Sequence, residues 1–263
     1  MPSSQMRTPL QITKAVVLAL VLREFLGRFT KRRMGAVWTF VEPFLHVLVL
    51  TLFFTYIRGR HIAGIDYPIF LITALVPFFL YRNVATRLMD SIEANRGLFA
   101  YKQIKPIDTF VARALVETVL LTVVYLILLG LFGWAGFDVG IHEPIEWLAI
   151  LLVGLVFSFA LGVMLAIIVN VIPDLKFFVR MMFMPLYFIS GIIYPPSRFP
   201  PEYLHLFLWN PFLHFSELTR SFVFSNYVPV KGVSAMFVIE STLITLFCAL
   251  SLYWIRRVKL LAI

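Results

Sequence analysis

The sequence predicts an all-α integral membrane protein with six transmembrane helices in a single domain, residues 1–263, and three observations lead to that fold class. Long apolar runs alternate with short basic segments along almost the whole chain. Hydrophobic residues make up 60% of the sequence and charged residues only 14%, with a mean hydropathy of +0.90. Runs such as 110–132 and 145–172 can each cross about 30 Å of hydrocarbon at about 1.5 Å per residue. A soluble domain of this size has no core that could bury them.

The six predicted spans are separated by charged, glycine-rich or proline-rich segments. We place the spans at about residues 37–57, 66–89, 110–133, 145–172, 177–194 and 235–255. The polar stretch 90–109 cannot lie in hydrocarbon without partners. Pro195 and Pro196 end the fifth span, because proline lacks the backbone N–H that a helix needs.

The basic residues predict the orientation. With the N-terminus in the cytoplasm, 18 of the 23 Lys and Arg residues fall on the cytoplasmic side and five on the outer side, among them Arg198 and Arg220. An excess of this kind is typical of cytoplasmic loops, so we expect both termini to be cytoplasmic. The net charge of +9 could suggest nucleic acid, but basic residues at the ends of apolar runs fit lipid headgroups better.

Two segments are apolar but not predicted to span. The N-terminal segment 1–36 carries an apolar core too short to cross, followed by a basic cluster, which predicts an amphipathic helix along the cytoplasmic interface. An ordinary basic flank of the first span is the alternative. The outer segment 195–234 mixes aromatic residues with prolines and charges, which favours a pair of re-entrant or interfacial half-helices before the last span.

The sequence contains little that could support catalysis. It has no phosphate-binding loop, no H-E-x-x-H and no C-x-x-C motif, so we expect neither ATP hydrolysis by this chain nor a metal site. His61 and Asp66 have the H-x-x-x-x-D spacing of some lipid acyltransferases, in which the carboxylate orients a general-base imidazole. The motif falls in a short outer loop without a supporting nucleophile.

Apart from Asp66 and Glu146 at span ends, the carboxylates within predicted spans are Glu42, Glu117 and Glu240. At such depth a carboxylate is expected to face the bundle interior, a partner or water. For Glu42 we expect a structural ion pair with Arg32, Arg33 or Arg82. Most aromatic residues near the span ends fit an interfacial belt, although some could turn inward and offer flat faces to sugar C–H groups.

The order of short motifs resembles the ABC-2 type permeases that export capsular polysaccharide and O-antigen. The basic stretch Arg28-Phe-Thr-Lys-Arg-Arg-Met-Gly-Ala-Val-Trp38, followed by Glu42-Pro43, is similar to their entry into the first span. Asp90-Ser-Ile-Glu-Ala-Asn-Arg-Gly-Leu-Phe with Ile104-Lys-Pro106 resembles their cytoplasmic coupling segment. Pro173-Asp-Leu-Lys176 looks like the second cytoplasmic turn. Ile193-Tyr-Pro-Pro196 and Trp209-Asn-Pro-Phe212 resemble the outer re-entrant segment.

This resemblance implies the transmembrane subunit of an ATP-driven exporter in the bacterial inner membrane. The cargo would be a lipid-linked capsular polysaccharide, and the dense N-terminal basic cluster favours an acidic one. The implied partners are two copies of a nucleotide-binding ATPase that holds ATP and Mg, a second copy of this chain, a periplasmic adaptor and an outer-membrane channel. No cofactor is expected in this chain itself.

The resemblance also implies roles for particular residues. Those expected to guide the substrate or its lipid anchor are Arg28, Lys31, Arg32, Arg33, Trp38, Glu42, Tyr56 and Tyr81. Those expected to couple to the ATPase are Ser91, Ile92, Glu93, Asn95, Leu98, Phe99, Pro106 and Asp174. Those expected to form an outer re-entrant gate are Tyr194, Pro195, Pro196, Trp209 and Pro211.

Three alternatives stay open from the sequence. The first is an ABC-2 permease for another cargo, such as O-antigen, teichoic acid, a lipid or a drug. The second is an integral-membrane transferase acting on lipid-linked sugars, which would need clustered Asp or His residues at a membrane face. The third is a passive scaffold subunit, which would not depend on an ATPase.

Overall fold

The structure is a computed structural model that describes residues 8–30, 35–58, 61–62 and 64–261. Within these residues the regular secondary structure is helical apart from one hairpin of two-residue strands, in which His61 pairs with Asp66. The elements in chain order are α1 (Pro9–Thr30), α2 (Gly35–Arg58), β1 (His61–Ile62), β2 (Ile65–Asp66), α3 (Tyr67–Met89), α4 (Ser91–Asn95), a 3₁₀ turn (Arg96–Ala100), α5 (Pro106–Trp134), α6 (Pro144–Val171), α7 (Leu175–Ile189), a second 3₁₀ turn (Pro196–Arg198), α8 (Pro201–Phe207), α9 (Pro211–Val223) and α10 (Ala235–Leu261).

Four helices of the described chain are long and apolar enough to cross a membrane, namely α3, α5, α6 and α10. They correspond to the predicted second, third, fourth and sixth spans. In α2 the described apolar stretch is the shorter Phe40–Phe54. The helix α7 has only 15 residues, about 22 Å of helix, and ends at Ile189 rather than at residue 194. The predicted count of six spans is therefore not confirmed, and the predicted end of the fifth is wrong.

The early end of α7 has a local cause in the turn that follows it. Gly191 has φ +69°, a left-handed conformation that favours glycine. A Cβ atom there would lie 2.6 Å from Cγ of Pro196, so the turn folds back too tightly for a side chain. Pro195 and Pro196 are both buried in this turn, which leads into the short helices α8 and α9. The outer segment thus contains two short helices, and their re-entrant or interfacial placement in the membrane stays a prediction.

The helix α3 is the centre of the molecule, and its side chains from Tyr67 to Phe79 are buried without interruption. It packs closely on α6 because small residues face it at four-residue spacing. Gly154, Ser158 and Gly162 form this stripe, and a Cβ at Gly162 would lie 3.0 Å from the Cα of Ala85. Small residues at this spacing let two helices approach closely.

Candidate substrate-binding cavity

A polar cavity of about 370 Å³ opens where the C-terminal end of α3 meets α1, α2, α5 and α7. Its walls combine four arginines with two carboxylates, two neutral polar residues and an apolar surface. The lining residues are Arg28, Trp38, Glu42, Pro43, Phe79, Arg82, Asn83, Thr86, Arg87, Asp90, Leu121, Arg180 and Phe183. We call this the arginine cavity.

One polar stripe at the end of α3 supplies much of the cavity wall. Its members recur at helical spacing on one face of an otherwise apolar helix: Arg82, Asn83, Thr86, Arg87 and Asp90. Residues three and four apart in a helix lie on the same side. The sequence alone shows two arginines, Arg82 and Arg87, near the end of a predicted span, and there they indicate only the orientation of the helix.

The mouth of the cavity contains an ion pair between α2 and α3. Nη2 of Arg82 lies 2.8 Å from Oε1 of Glu42, which confirms the predicted Glu42–Arg82 pair. The same guanidinium lies 4.4 Å from the ring centre of Phe79. Both charged side chains remain partly exposed, so Arg82 can still face a bound anion from this position.

Behind the cavity, α1 is joined to α5 by a fully buried carboxylate. Glu117 in α5 is 0% exposed and is paired with Arg28 of α1 and with Nε of Arg87, the latter at 3.1 Å. A second pair between these helices joins Glu24 to Arg113 at 3.0 Å. A buried carboxylate needs such partners, since an unpaired charge in this position would be strongly destabilising.

The net charge of the cavity favours an anionic ligand. Four arginines face two lining carboxylates, Glu42 and Asp90, and Glu117 behind them still leaves an excess of positive charge. Guanidinium groups match the geometry of carboxylate and phosphate groups. Trp38 on the wall is 57% exposed and offers an aromatic face beside these cations. The cavity can therefore hold an acidic group and a sugar ring side by side.

The segment that follows α3 is polar and anchored internally. Ser91 donates a hydrogen bond to Thr109 at 3.0 Å, and the Asn95 amide donates to the backbone oxygen of Ser91 at 2.9 Å. Arg23 of α1 also donates to Asn95, so α1 is tied to this segment too. Glu93 points outward and is exposed.

Two carboxylates of this segment bind the start of α7. Asp90 lies 2.6 Å from Nη2 of Arg180 and 3.0 Å from Nζ of Lys176, and Glu93 lies 2.8 Å from the same Lys176 Nζ. Hydrogen bonds to Glu93 and then to Asp90 raise the pKa of Lys176 above its ordinary value. We call these four residues the Asp90 cluster.

Comparison with known proteins assigns the family. Residues 15–224 match the sequence model of the ABC-2 type transporter. The chain belongs to the ABC-2 type transporter family. It is 36% identical over 255 residues to the polysialic acid transport protein KpsM of Escherichia coli, which covers 97% of this chain and 98% of that protein. It is 28% identical to the capsule polysaccharide export inner-membrane protein CtrC of Neisseria meningitidis, over 83% of both chains. It is 24% identical to the O-antigen export system permease protein RfbA of Myxococcus xanthus, over 93% of both.

The structure of this ABC-2 chain brings three of the predicted substrate-guiding residues together at the arginine cavity. Arg28, Trp38 and Glu42 line it. Lys31, Arg32 and Arg33 lie outside the described residues. Tyr56 belongs to the far end of α2, and its side chain also lies outside the described part.

Tyr81 is placed away from the cavity. Its side chain is 2% exposed and its hydroxyl lies 3.4 Å from the backbone oxygen of Leu151 in α6. A Cβ at Gly154 would lie 2.3 Å from its ring, so the tyrosine fills the space that this glycine leaves. The structure thus gives Tyr81 a packing position between α3 and α6.

The predicted coupling residues of this ABC-2 chain divide into two groups. Five are buried and hold the segment against the helices: Ser91, Ile92, Asn95, Phe99 and Pro106. Glu93 and Asp174 are exposed and Leu98 is half-buried, so these three are placed where a partner could touch them. The sequence identified the segment but could not separate its inner from its outer face.

A buried arginine, which the charge distribution assigns to the outer side, anchors the turn that carries several of the predicted gate residues. Arg220 of α9 is 0% exposed and donates to the backbone oxygens of Gly191 and Ile192 at 2.6 and 2.7 Å. It also lies 3.6 Å from the ring centre of Phe70. Arg220 is therefore a buried anchor of this segment, because its donors are satisfied by backbone carbonyls inside the protein.

The predicted gate residues differ in their exposure. Pro195 and Pro196 are buried in the turn, Tyr194 and Pro211 are half-buried, and Trp209 is 78% exposed. Asn210 donates from its amide to Ser190 at 2.9 Å and caps α9 by accepting from the N–H of Phe212. Only Trp209 therefore presents a full side chain to the surroundings.

A second cavity of about 420 Å³ lies at the opposite end of α3, next to the hairpin. Asp66, Asp138 and His142 line it together with residues 223–226. Among the residues described, no group of three or more His, Cys, Asp or Glu could hold a metal ion. Asp66 and His61 are paired in the hairpin, but the side chain of His61 lies outside the described part.

Proposed function

We propose that this chain is the transmembrane permease of an ATP-driven exporter that moves lipid-linked, acidic capsular polysaccharide across the bacterial inner membrane. One observation carries the proposal: a cavity with four arginines lies in a chain that is similar along nearly its whole length to capsule polysaccharide export proteins. The cationic walls would hold the acidic part of the cargo, and Trp38 would support a sugar ring.

The energy for transport would come from a separate subunit. The chain has no phosphate-binding loop, so two copies of a partner ATPase would bind ATP and Mg. They would dock on the segment 90–107 through exposed residues such as Glu93, and on the turn before α7 through Asp174. This places the segment, the arginine cavity and both termini on the cytoplasmic side, as the distribution of Lys and Arg favours.

A conduit wide enough for a polymer needs more than one copy of the chain. We infer a homodimer in which α2 and α7 form the walls, because both carry long apolar faces that the protomer leaves exposed, including Phe44, Val49, Phe177 and Met184. Two-fold symmetry is the commonest arrangement of such pairs. A periplasmic adaptor and an outer-membrane channel would continue the path.

A second cargo is favoured by one observation. The O-antigen export permease of Myxococcus xanthus is similar over 93% of both chains, although at only 24% identity. A lipid-linked O-antigen would use the same cavity for its lipid-linked end. Teichoic acid, a lipid or a drug has no comparable observation in its favour.

The proposal predicts different effects on export for two variants of one ion pair. Arg82→Gln removes a cation that faces the cargo, and we expect the rate of surface polysaccharide export to fall about tenfold, the equivalent of one charge-assisted hydrogen bond. Glu42→Gln removes the competing carboxylate and should leave export unchanged or faster. Export would be measured as surface against intracellular polysaccharide at equal levels of chain in the membrane.

A control and a contrary result are available for this experiment. Arg198→Gln changes an exposed arginine in the outer segment and should have no effect on export. Equal losses in the two cavity variants would mean that Glu42 and Arg82 act only as a structural pair. That result would remove the cavity from the proposal.

A further inference from the structure

We propose that the Asp90 cluster transmits movement of the coupling segment to α7, which makes Asp90, Glu93, Lys176 and Arg180 positioning residues for transport. The inference rests on the proposed function, since it assumes that a partner ATPase moves the segment 90–107. It adds the path by which that movement reaches a wall of the proposed conduit. The path begins at ion pairs of 2.6 to 3.0 Å.

The first step of the argument is that α7 is attached to the protein along one stripe. Lys176, Arg180, Phe183 and Tyr187 are spaced by four, three and four residues, so they lie on one face of the helix. Phe183 and Tyr187 are its buried residues. The other face, with Phe177, Phe178, Met181, Met182 and Met184, is exposed in the protomer.

The two halves of this stripe are held in different ways. The C-terminal half packs on the core: the ring centre of Tyr187 lies 5.7 Å from that of Phe78, and the Tyr187 hydroxyl lies 2.8 Å from Nε2 of His46. The N-terminal half is held by the ion pairs of the Asp90 cluster. A helix with aromatic packing at one end and ion pairs at the other can pivot about the packed end when the ion pairs are displaced.

The second step is that Asp90 joins two helices. It caps the C-terminus of α3 and the N-terminus of α4, so a movement of α4 displaces the Asp90 carboxylate directly. Because its two oxygens bind two cations one turn apart in α7, a displacement is transmitted to the helix rather than to one flexible side chain. Asp90 and Arg180 also line the arginine cavity, so the same movement changes the wall that faces the cargo.

The third step is that the cluster contributes little to stability. Its members are partly exposed, from 23% for the Asp90 side chain to 78% for that of Glu93. Exposed ion pairs add little to the free energy of folding. Neutral variants should therefore fold, and a loss of transport in them would report lost transmission.

The test uses the complex of this chain with its ATPase, isolated from native membranes. The chain carries Cys248→Ser, which removes its single cysteine, and one new cysteine, either Tyr101→Cys within the coupling segment or Met181→Cys in α7. Both positions are exposed, at 65% and 53%. The alkylation rate of each by a water-soluble maleimide is measured without nucleotide and after trapping with ATP and vanadate.

With the cluster intact, trapping should change the alkylation rate at both positions. In Asp90→Asn, the response at Tyr101→Cys should remain, ATP hydrolysis should continue, and the response at Met181→Cys and polysaccharide export should be lost, because Asp90 pairs with both cations of α7. Lys176→Gln with Arg180→Gln should give the same pattern from the other side and replaces Asp90→Asn if that variant does not fold. Asp90→Glu should restore the Met181→Cys response, and Glu146→Gln, an exposed carboxylate in α6, should leave both responses unchanged.

The outcomes separate this inference from the proposed function. A Met181→Cys response that persists in the neutral variants, or that is absent with the cluster intact, overturns the inference while the proposed function stands. A complex that contains no ATPase overturns both.

Discussion

The structure gives Arg220 a role that the sequence did not predict. In the sequence it is one of five basic residues assigned to the outer side. In the structure it is fully buried and binds the carbonyls of the turn that follows α7. A guanidinium is tolerated inside a protein only when its donors are satisfied and its charge is paired, here by Glu217 at 3.5 Å.

This burial makes Arg220 a stability determinant of the outer segment. Arg220→Leu removes donors from three backbone oxygens and leaves Glu217 buried without its cation, so we expect a loss of about 3–5 kcal/mol. Thermal unfolding of the purified chain in mild detergent would measure it. The matched variant Arg198→Leu, at an exposed position of the same segment, should change the melting temperature little. Equal melting of the two variants would contradict the anchoring role.

His214 gives the outer segment a pH dependence. Its Nδ1 accepts from the N–H of Ser234 at 3.1 Å, and its Nε2 lies 2.8 Å from the backbone oxygen of Leu208, to which the neutral ring donates. Burial lowers the pKa of His214 below its ordinary value of 6.5. As the pH falls through about 6.5, His214 therefore takes up a proton in the unfolded chain before it does so in the folded chain.

The sign of the effect follows directly. Stability should fall as the pH drops below about 6.5, by at most about 1.4 kcal/mol per pH unit for one proton. We expect a lower melting temperature at pH 5.5 than at pH 7.5, and a smaller difference in His214→Asn. His205→Asn, an exposed histidine in α8, should keep the native difference. An unaltered pH dependence in His214→Asn would show that another group is responsible.

Among the elements, the long apolar helices could be predicted and the short ones could not. The runs that became α5, α6 and α10 exceed the thickness of a membrane, so length and composition were sufficient. The end of α7 depends instead on the left-handed Gly191 and its contact with Pro196, which no hydropathy pattern records. The four-residue spacing of Gly154, Ser158 and Gly162 is present in the sequence, but the sequence does not identify α3 as the helix that packs against them.

The approach of α6 to α3 predicts a sign reversal between two glycines. Gly162→Ala places a Cβ 2.8 Å from that of Leu88 and 3.0 Å from the Cα of Ala85, so we expect destabilisation. Gly130→Ala in α5 meets no atom within 4 Å and gains helix propensity, about 1 kcal/mol in an exposed helix. Melting temperatures of the two variants should therefore move in opposite directions. A stable Gly162→Ala would mean that the two helices are not in close contact at this point.

For the whole molecule, the sequence could identify the candidate site only in part. Arg28, Trp38 and Glu42 were found because they precede or begin the first predicted span, where the resemblance to ABC-2 permeases is carried by adjacent residues. Arg180 and Phe183 join the cavity from α7, nearly a hundred residues beyond Arg87. Only the folded chain brings these distant segments together. The same holds for the Asp90 cluster, which joins two segments that the sequence treated as separate cytoplasmic turns.

The most direct measurement is purification of the tagged chain from native membranes in mild detergent, with mass spectrometry of the proteins that accompany it. We predict a stoichiometric ATPase with a phosphate-binding loop, present with the native chain and lost in Ile92→Pro, which breaks the buried side of the coupling segment. The variant chain should remain in the membrane while polysaccharide accumulates inside the cell. A native chain that exports polysaccharide without any accompanying ATPase would contradict the proposal that it is the permease of an ATP-driven exporter.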